Sequence, residues 1–206
     1  DNLISKYPTL LELANYIKDN KNQEKIGNLD WKEIVNKDTD ADLPSSSFIA
    51  VFFKFLSFIL FKTFFRVKVK GKEKIEKDKP TIFVANHQSF LDGFLFNYSV
   101  PLKVMKKTYF LATVIHFKSS IMKFMADSSN VVLVDMNKDI AEVMQILAKL
   151  LKENKNIAIY PEGTRTRDGK IDKFKKAFAI LAKELNVDVQ PYVISGAYEL
   201  FPTGKK

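Results

Sequence analysis

The sequence predicts an α/β fold, in which a mixed and mostly buried β-sheet is flanked by helices and preceded by a further helical segment. Two observations support this prediction. Short apolar runs typical of strands alternate with amphipathic helical patterns along most of the chain after residue 65. The chain has 206 residues, of which 46% are hydrophobic, and it is therefore long enough to bury one sizeable core.

The predicted elements of this domain follow one another in regular alternation. Runs with strand character cover residues 66–70, 81–86, 108–114, 131–135, 157–160 and 188–194. Helical patterns cover roughly residues 90–99, 118–126, 138–153 and 172–185. No internal repeat interrupts the series.

The chain divides into three parts by composition, and we assign the α/β domain to residues 47–206. Residues 1–19 contain a capping-box pair followed by apolar residues at helical spacing, so they predict a short amphipathic helix. Residues 20–46 are polar and predict a linker that buries Trp31 and Val35. The first residue is Asp1 rather than Met, and we expect the chain to be a piece of a longer protein.

A phenylalanine-rich run at residues 48–65 holds eight of the 18 phenylalanines. Its length would allow a membrane span, but Lys54 would then lie near the middle of the bilayer, at a cost of about 2.5–3.5 kcal/mol. We therefore predict an interfacial, membrane-associating helix whose lysines reach the surface. A core helix of a soluble domain is the alternative. The basic residues that follow would suit an anionic bilayer: Arg66, Lys68, Lys70, Lys72 and Lys74.

Composition restricts the chemistry of the chain. It has no cysteine, which excludes a disulfide framework, a thiolate nucleophile and a cysteine-based zinc site. The net charge of +9 favours anionic partners, although a lysine-rich genome would produce the same excess. Arginine occurs only at Arg66, Arg165 and Arg167, so two of the three lie in one short motif.

The stretch "NHQSFLD" places one of the two histidines, His87, directly after a predicted strand. Ser89 and Asp92 have the spacing of a helix N-cap and its acidic partner. Residues five apart on one regular helix point about 140° away from each other. If the helix begins at Ser89, His87 lies outside it and Asp92 can reach back to the imidazole. Such a pair suits a general base without a protein nucleophile. The alternative is a simple helix cap beside a loop histidine.

The stretch "PEGTRTR" follows another predicted strand, at residues 157–160. Pro161 and Gly163 shape a turn, while Thr164 and Arg165 offer hydrogen-bond donors. A guanidinium can bind two phosphate oxygens at once, which an ammonium cannot do. The motif therefore predicts a phosphate or carboxylate site, with a solvated charged turn as the alternative.

Together these motifs resemble the glycerolipid acyltransferase family, best known from 1-acylglycerol-3-phosphate acyltransferase. The resemblance is carried by His87 with Asp92, by the Pro-Glu-Gly-Thr-Arg block at 161–165, and by "VQPYVISGA" with Pro191. A fourth block departs from the family pattern, because "SSNVVLVDMNKD" lacks the usual glycine and arginine and offers only Lys138 as a positive charge. Separately, "YPTLLELANYI" in residues 1–19 resembles the last helix of acyl carrier protein domains; a helical packing arm is the other interpretation.

The family resemblance implies a function and a set of roles. The reaction would transfer a fatty acyl group from acyl-CoA or acyl carrier protein to a lysophospholipid during phospholipid biosynthesis. The acceptor that the resemblance implies first is 1-acyl-sn-glycerol-3-phosphate. The resemblance also implies that His87 is the base and that Asp92 orients it. It implies no cofactor and no metal, and a membrane-associated protein at the cytoplasmic face of the inner or plasma membrane. The residues implied in substrate binding are Glu162, Gly163, Thr164 and Arg165 for phosphate, with Lys138 and Pro191 as further contacts.

Several other functions stay open or are disfavoured by the sequence. The acceptor could be another lysophospholipid or a glycerol phosphate, and an inactive membrane-docking relative would share the same motifs. A nucleic-acid module is disfavoured because the aromatics cluster in an apolar run instead of alternating with basic residues. A lipase or thioesterase would need a G-x-S-x-G elbow, which the sequence lacks. The second histidine, His116, is interpreted as a core or interface residue.

Overall fold

The computed structural model describes residues 29–44, 48–114, 117, 119–134 and 140–203. Within this part of the chain one five-stranded sheet has the order β3-β2-β4-β1-β5, and all its pairings are parallel. The strands are β1 Thr81–Ala85, β2 Thr108–Thr113, β3 Val131–Val134, β4 Asn156–Ile159 and β5 Asp188–Tyr192. The α/β prediction is confirmed, but a mixed sheet is wrong for these strands. Helical crossovers return the chain to the same end of the sheet each time, which makes neighbouring strands parallel.

Helices cover both faces of the sheet. Helices at residues 31–36, 102–107 and 197–200 were not predicted. The helices predicted at 90–99, 118–126, 138–153 and 172–185 are present, with ends shifted by up to five residues. The described helices are α1 Trp31–Asn36, α2 Phe48–Ile59 with a π-helical extension Leu60–Phe64, α3 Asp92–Ser99, α4 Leu102–Lys107, α5 Ser120–Asp127, α6 Ile140–Lys152, α7 Ala177–Leu185 and α8 Ala197–Leu200, besides a 3₁₀ turn Lys72–Lys74.

The prediction of a strand at residues 66–70 is wrong. The segment has no regular secondary structure. The helical segment before it ends in a left-handed residue, Arg66, with φ of 49°. The next amide, of Val67, donates to the carbonyl of Phe61 at 2.8 Å and closes the helix end. The alternation of valine and lysine that imitates a strand therefore belongs to the connection between this helix and the domain.

Alternate residues of β1 pack into different cores. Ile82 and Val84 lie in the larger cluster with α6 and α7. Phe83 points the other way and packs with Phe96 of α3 and with α4. This is the period-two geometry of a strand that is covered on both faces. All five residues of β1 are buried, so the central strand and the residues that follow it have a rigid support.

Part of the segment predicted as a linker belongs to the larger core. Val35 of α1 is fully buried among residues of α6 and α7. Two lysines of α6 fasten the same segment by donating to main-chain carbonyls: Lys152 to Val35 at 2.8 Å, and Lys149 to Thr39 and Ala41 at 3.1 Å each. The helix predicted within residues 1–19 lies outside the described residues.

Lys54 of α2 has a different surrounding from the one predicted. Its ammonium donates to the carbonyls of Asn97 and Val100, at 2.7 Å for the latter, where α3 ends. The last carbonyls of a helix lack partners within it and attract cations. Burial, with a smaller effect from the charge of Lys72, lowers the pKa of Lys54 from 10.5 to about 8, so the ammonium form still prevails at pH 7. Lys54 thus fastens α2 to the domain.

Among the described residues, no helix is both long enough and apolar enough to cross a membrane.

The burial of Val35 leads to a first prediction, on stability. Val35→Ala removes two methyl groups from a fully buried site, so we expect a loss of about 1–3 kcal/mol in the free energy of unfolding. Urea denaturation measures this loss, and Lys32→Ala on the exposed side of the same helix is the matched control, expected to change it by less than about 0.5 kcal/mol. Equal effects of the two substitutions would show that α1 is not part of the folded core.

Candidate active site

The two sequence motifs meet at one edge of the sheet. Strands β1 and β4 are parallel neighbours, with Ile82 opposite Ile157 and Val84 opposite Ile159. Their carboxyl ends therefore lie side by side, and the residues that follow each strand enter the same region. This edge is where parallel α/β sheets place their ligands.

The loop after β1 ends in a tight turn that joins His87 to Asp92. The Nδ1 atom of His87 lies 2.7 Å from Oδ2 of Asp92. The same oxygen accepts the backbone N–H groups of Gln88 at 2.7 Å and Ser89 at 3.0 Å. Helix α3 begins at Asp92, later than predicted, and a turn covers the residues before it. The contact expected from the capping geometry, in which the acidic residue reaches back to Ser89 and to the histidine, is present.

Burial and hydrogen bonding define the state of this pair. Asp92 is fully buried; its Oδ2 accepts two backbone N–H groups and lies 2.7 Å from Nδ1 of His87, while its Oδ1 has no hydrogen-bond partner in the described part of the chain. The two backbone N–H groups use Oδ2 as an acceptor, and the positive end of α3 lies beside it. An ionised Asp92 can only accept, so Nδ1 of His87 carries the proton and Nε2 carries the lone pair. The His87 side chain is 22% exposed, which gives a substrate access to it.

Glu162 connects the second motif to the first through the main chain. Its Oε1 accepts the backbone N–H of His87 at 2.7 Å, and its Oε2 accepts that of Asp172 at 3.0 Å. The carbonyl of His87 in turn accepts the N–H of Thr166 at 2.8 Å. Glu162 is 4% exposed, and both of its oxygens bind backbone donors. It therefore holds the two loops together through their main chains. The place beside the acceptor phosphate that the family resemblance implied for Glu162 stays a prediction.

The remaining residues of the second motif form an exposed turn. Gly163 has a φ of 76°, and Gly163 and Thr164 are exposed while Arg165 is partly buried. Lys175 lies against this turn: a Cβ atom at Gly163 would be 2.7 Å from its Nζ, and its backbone N–H donates to Pro161 at 2.8 Å. The positive φ is what favours glycine at this position, since the end of the lysine side chain could move aside. Lys175 adds a positive charge that we did not predict.

Two tyrosines that we did not predict complete the surroundings of His87. The ring of Tyr160 stacks on the imidazole, with centroids 4.2 Å apart and planes inclined by 12°. The hydroxyl groups of Tyr160 and Tyr192 are 3.4 Å apart. Burial raises the pKa of both phenols, so both remain neutral at physiological pH. The only hint in the sequence is that each tyrosine comes at or directly after the end of a strand.

Other residues named in the sequence analysis lie elsewhere. Pro191 is in the edge strand β5 opposite Val84, where a missing N–H is tolerated. It comes one residue before Tyr192 and not in the loops with His87 and Arg165. Lys138 and His116 lie outside the described residues. Within the described ranges, no three histidine, aspartate or glutamate side chains are grouped so that they could hold a metal ion.

Comparisons with known proteins find relatives over about two thirds of the chain. A 1-acyl-sn-glycerol-3-phosphate acyltransferase from Chlamydomonas reinhardtii is 35% identical over 146 residues, 69% of this chain and 42% of that protein. A chloroplastic enzyme of the same name from Arabidopsis thaliana is 30% identical over 151 residues, 69% of this chain and 40% of that protein. The chain thus spans about two fifths of the length of these two relatives.

A solved structure shares the fold. The crystal structure of PlsC, the 1-acyl-sn-glycerophosphate (LPA) acyltransferase from Thermotoga maritima, superposes with a TM-score of 0.62 at 30% sequence identity and covers 76% of this chain and 62% of that one. The model of the Acyltransferase family matches residues 66–195, which include β1 to β5 and both motifs. The chain therefore belongs to the acyltransferase family.

Proposed function

We propose that the chain transfers a fatty acyl group from a thioester to the free hydroxyl of 1-acyl-sn-glycerol-3-phosphate, a step in phospholipid biosynthesis. The observation that carries the proposal is the 2.7 Å contact between His87 Nδ1 and Asp92 Oδ2, which leaves Nε2 as a base at the exposed edge of the sheet. Relatives at 30–35% identity are named for this acceptor.

The transfer uses one general base and no protein nucleophile. Nε2 of His87 takes the proton of the acceptor hydroxyl as the oxygen attacks the thioester carbonyl. The carbon–sulfur bond then breaks, and the imidazolium returns the proton to the leaving thiolate. Asp92 keeps Nδ1 as the donor throughout and stabilises the positive charge. A base of this kind contributes roughly 10²–10⁴ in rate.

Ser89, two positions after His87, is unsuited to act as a nucleophile. Ser89 is fully buried, and its hydroxyl donates to the carbonyl of Phe201 at 3.1 Å while accepting the N–H of Leu91 at 3.3 Å. Asp92 engages its backbone N–H as well. These bonds hold the turn closed, which supports direct attack by the substrate hydroxyl over an acyl-enzyme route.

The acceptor phosphate would bind at the exposed turn after β4. Arg165 supplies a forked donor, Thr164 a hydroxyl, and Lys175 a second positive charge beside Gly163. We assign Glu162 to the support of this turn, because its carboxylate is buried and bonded to two backbone amides. Lys138 and Pro191 remain predicted contacts of the substrate.

The aromatic helix α2 would bring the site to the bilayer. One side of it is docked, with Phe61 at 1% and Ser57 at 7% exposure, while Phe48, Phe55 and Phe64 are 93%, 62% and 76% exposed. Apolar surface of this extent on one helix suits the acyl boundary of a membrane. We propose the cytoplasmic face of the inner or plasma membrane as the location. The thioester donor is acyl-CoA or an acyl carrier protein.

The role of His87 gives the second prediction. His87→Ala should lower acyl transfer to 1-acylglycerol-3-phosphate by at least about 10²-fold, because the base is removed while the fold does not depend on it. The assay measures thiol release with each thioester type, and circular dichroism with thermal unfolding checks the fold. Substantial residual transfer by a pure, folded variant would exclude a general base at this position.

The proposed phosphate site gives the third prediction. Arg165→Lys should raise KM for the phosphate-bearing acceptor about tenfold with little change in kcat, because a fork becomes a point charge. Arg167→Lys, in which the exposed arginine two positions later is changed in the same way, is the matched control and should leave KM near the wild-type value. If both variants keep the wild-type KM, Arg165 does not bind the phosphate.

The proposed membrane surface gives the fourth prediction. Replacing Phe48, Phe55 and Phe64 together by serine should reduce binding to anionic phosphatidylglycerol vesicles at least about tenfold, since each substitution removes exposed apolar surface. Vesicle flotation measures the bound fraction. Phe124→Ser, at a 59% exposed phenylalanine of α5, is the control. Undiminished binding by the triple variant would refute the membrane role of α2.

A further inference from the structure

We propose that Tyr160 is a positioning residue for the reaction, because its ring holds the imidazole plane of His87 in the orientation that presents Nε2 to the acceptor hydroxyl. This inference rests on the proposed function, in which His87 is the general base. Tyr160 acts through its contact with the imidazole of His87. Neither the acceptor hydroxyl nor the thioester needs to contact Tyr160.

The other contacts of His87 leave its ring orientation incompletely defined. The bond from Nδ1 to Asp92 fixes one atom of the imidazole, and the bonds to Glu162 and Thr166 fix its backbone. Two torsions, χ1 and χ2, orient the imidazole, and one hydrogen bond restrains them only in combination. A joint change of both can tilt the ring while Nδ1 stays near Asp92, and this tilt moves Nε2 away from its line of attack. A flat neighbour 4.2 Å away and only 12° from parallel blocks this tilt on one side.

Tyr160 is itself well supported. It directly follows β4, and its carbonyl accepts the N–H of Gly163 at 3.0 Å, so its backbone is part of the turn. Its hydroxyl lies 3.4 Å from that of Tyr192, at the end of β5. The ring of Tyr192 packs in turn on Phe96 of α3, with centroids 5.4 Å apart. The stack on His87 is thus supported from two strands and from the helix that carries Asp92.

Two substitutions distinguish the effect of the Tyr160 ring from the effect of its hydroxyl group. Tyr160→Phe keeps the stacking face and loses only the 3.4 Å contact to Tyr192. Tyr160→Leu keeps a bulky apolar side chain but removes the flat aromatic ring that stacks on the imidazole. If the face positions His87, the phenylalanine variant should keep kcat within about threefold of wild type. The leucine variant should lose at least about tenfold in kcat with KM for the acceptor nearly unchanged, since an orientation effect acts on the reacting geometry.

A spectroscopic readout tests the stack without any substrate. The chain has only two histidines, so ¹H–¹³C spectra of histidine-labelled protein contain two imidazole sets, and His87→Ala identifies one of them. A face-to-face phenol shields the imidazole protons. We expect the His87 ring protons to move downfield in Tyr160→Leu and to stay near their wild-type shifts in Tyr160→Phe.

The outcomes decide between the alternatives. The proposal is overturned if the folded leucine variant keeps the wild-type kcat, if it keeps the shielded signals, or if the phenylalanine variant loses as much activity as the leucine variant. Should Tyr160→Leu fail to unfold cooperatively, Tyr160→Met offers the same comparison. If the wild-type protein shows no acyl transfer, the proposed function fails, while the spectra still decide whether Tyr160 orients the imidazole.

Discussion

The hydrogen bonds that converge on Oδ2 of Asp92 organise the candidate site. A buried carboxylate is costly unless it is well bonded, and here three N–H groups lie within 3.0 Å of one oxygen. Two of them come from the backbone of Gln88 and Ser89, so the same atom closes the turn and holds the imidazole of His87. Removal of this carboxylate would loosen both together. The histidine owes its tautomer, and hence its basic Nε2, to this single acceptor.

Three loops at the edge of the sheet are joined by side chains that bond to the main chain. Glu162 ties the loop after β4 to His87, across 75 positions of sequence. Asn86 does the same for the loop after β5, since its amide donates to the carbonyl of Ile194 and its oxygen accepts the N–H of Ile194, both at 2.8 Å. Because buried β1 lies between β4 and β5, these bonds fix the loops relative to a rigid strand. Such support is what a precisely oriented base needs.

The features that could be predicted from the sequence are those that depend on near neighbours in the chain. His87 and Asp92 are five positions apart, and helix-capping geometry was sufficient to bring them together. The alternation of strands and helices was likewise visible as a change of hydrophobic period. Resemblance to a known family then indicated that the two motifs form one site, and the structure adds that Glu162 bonds to main-chain groups of both loops.

The features that were missed depend on which strands lie side by side. The order β3-β2-β4-β1-β5 is not encoded in local periodicity. The stacking of Tyr160 on His87 and the contact with Tyr192 therefore had no sequence signal beyond the place of each tyrosine at a strand end. Lys54 was misjudged for the same reason, because its partners at the end of α3 lie more than 40 positions away. The strand predicted at residues 66–70 fails for a related reason. Its apolar and polar residues alternate as in a strand, but no neighbouring strand pairs with this segment.

Asp92→Asn gives the sharpest test of whether Asp92 makes His87 a base by holding Nδ1 as a donor. We expect a folded protein whose kcat for transfer from a thioester to 1-acylglycerol-3-phosphate falls by about 10²–10⁴, with KM for the acceptor within a few-fold of wild type. A wild-type kcat in a folded Asp92→Asn protein would show that His87 does not depend on this carboxylate.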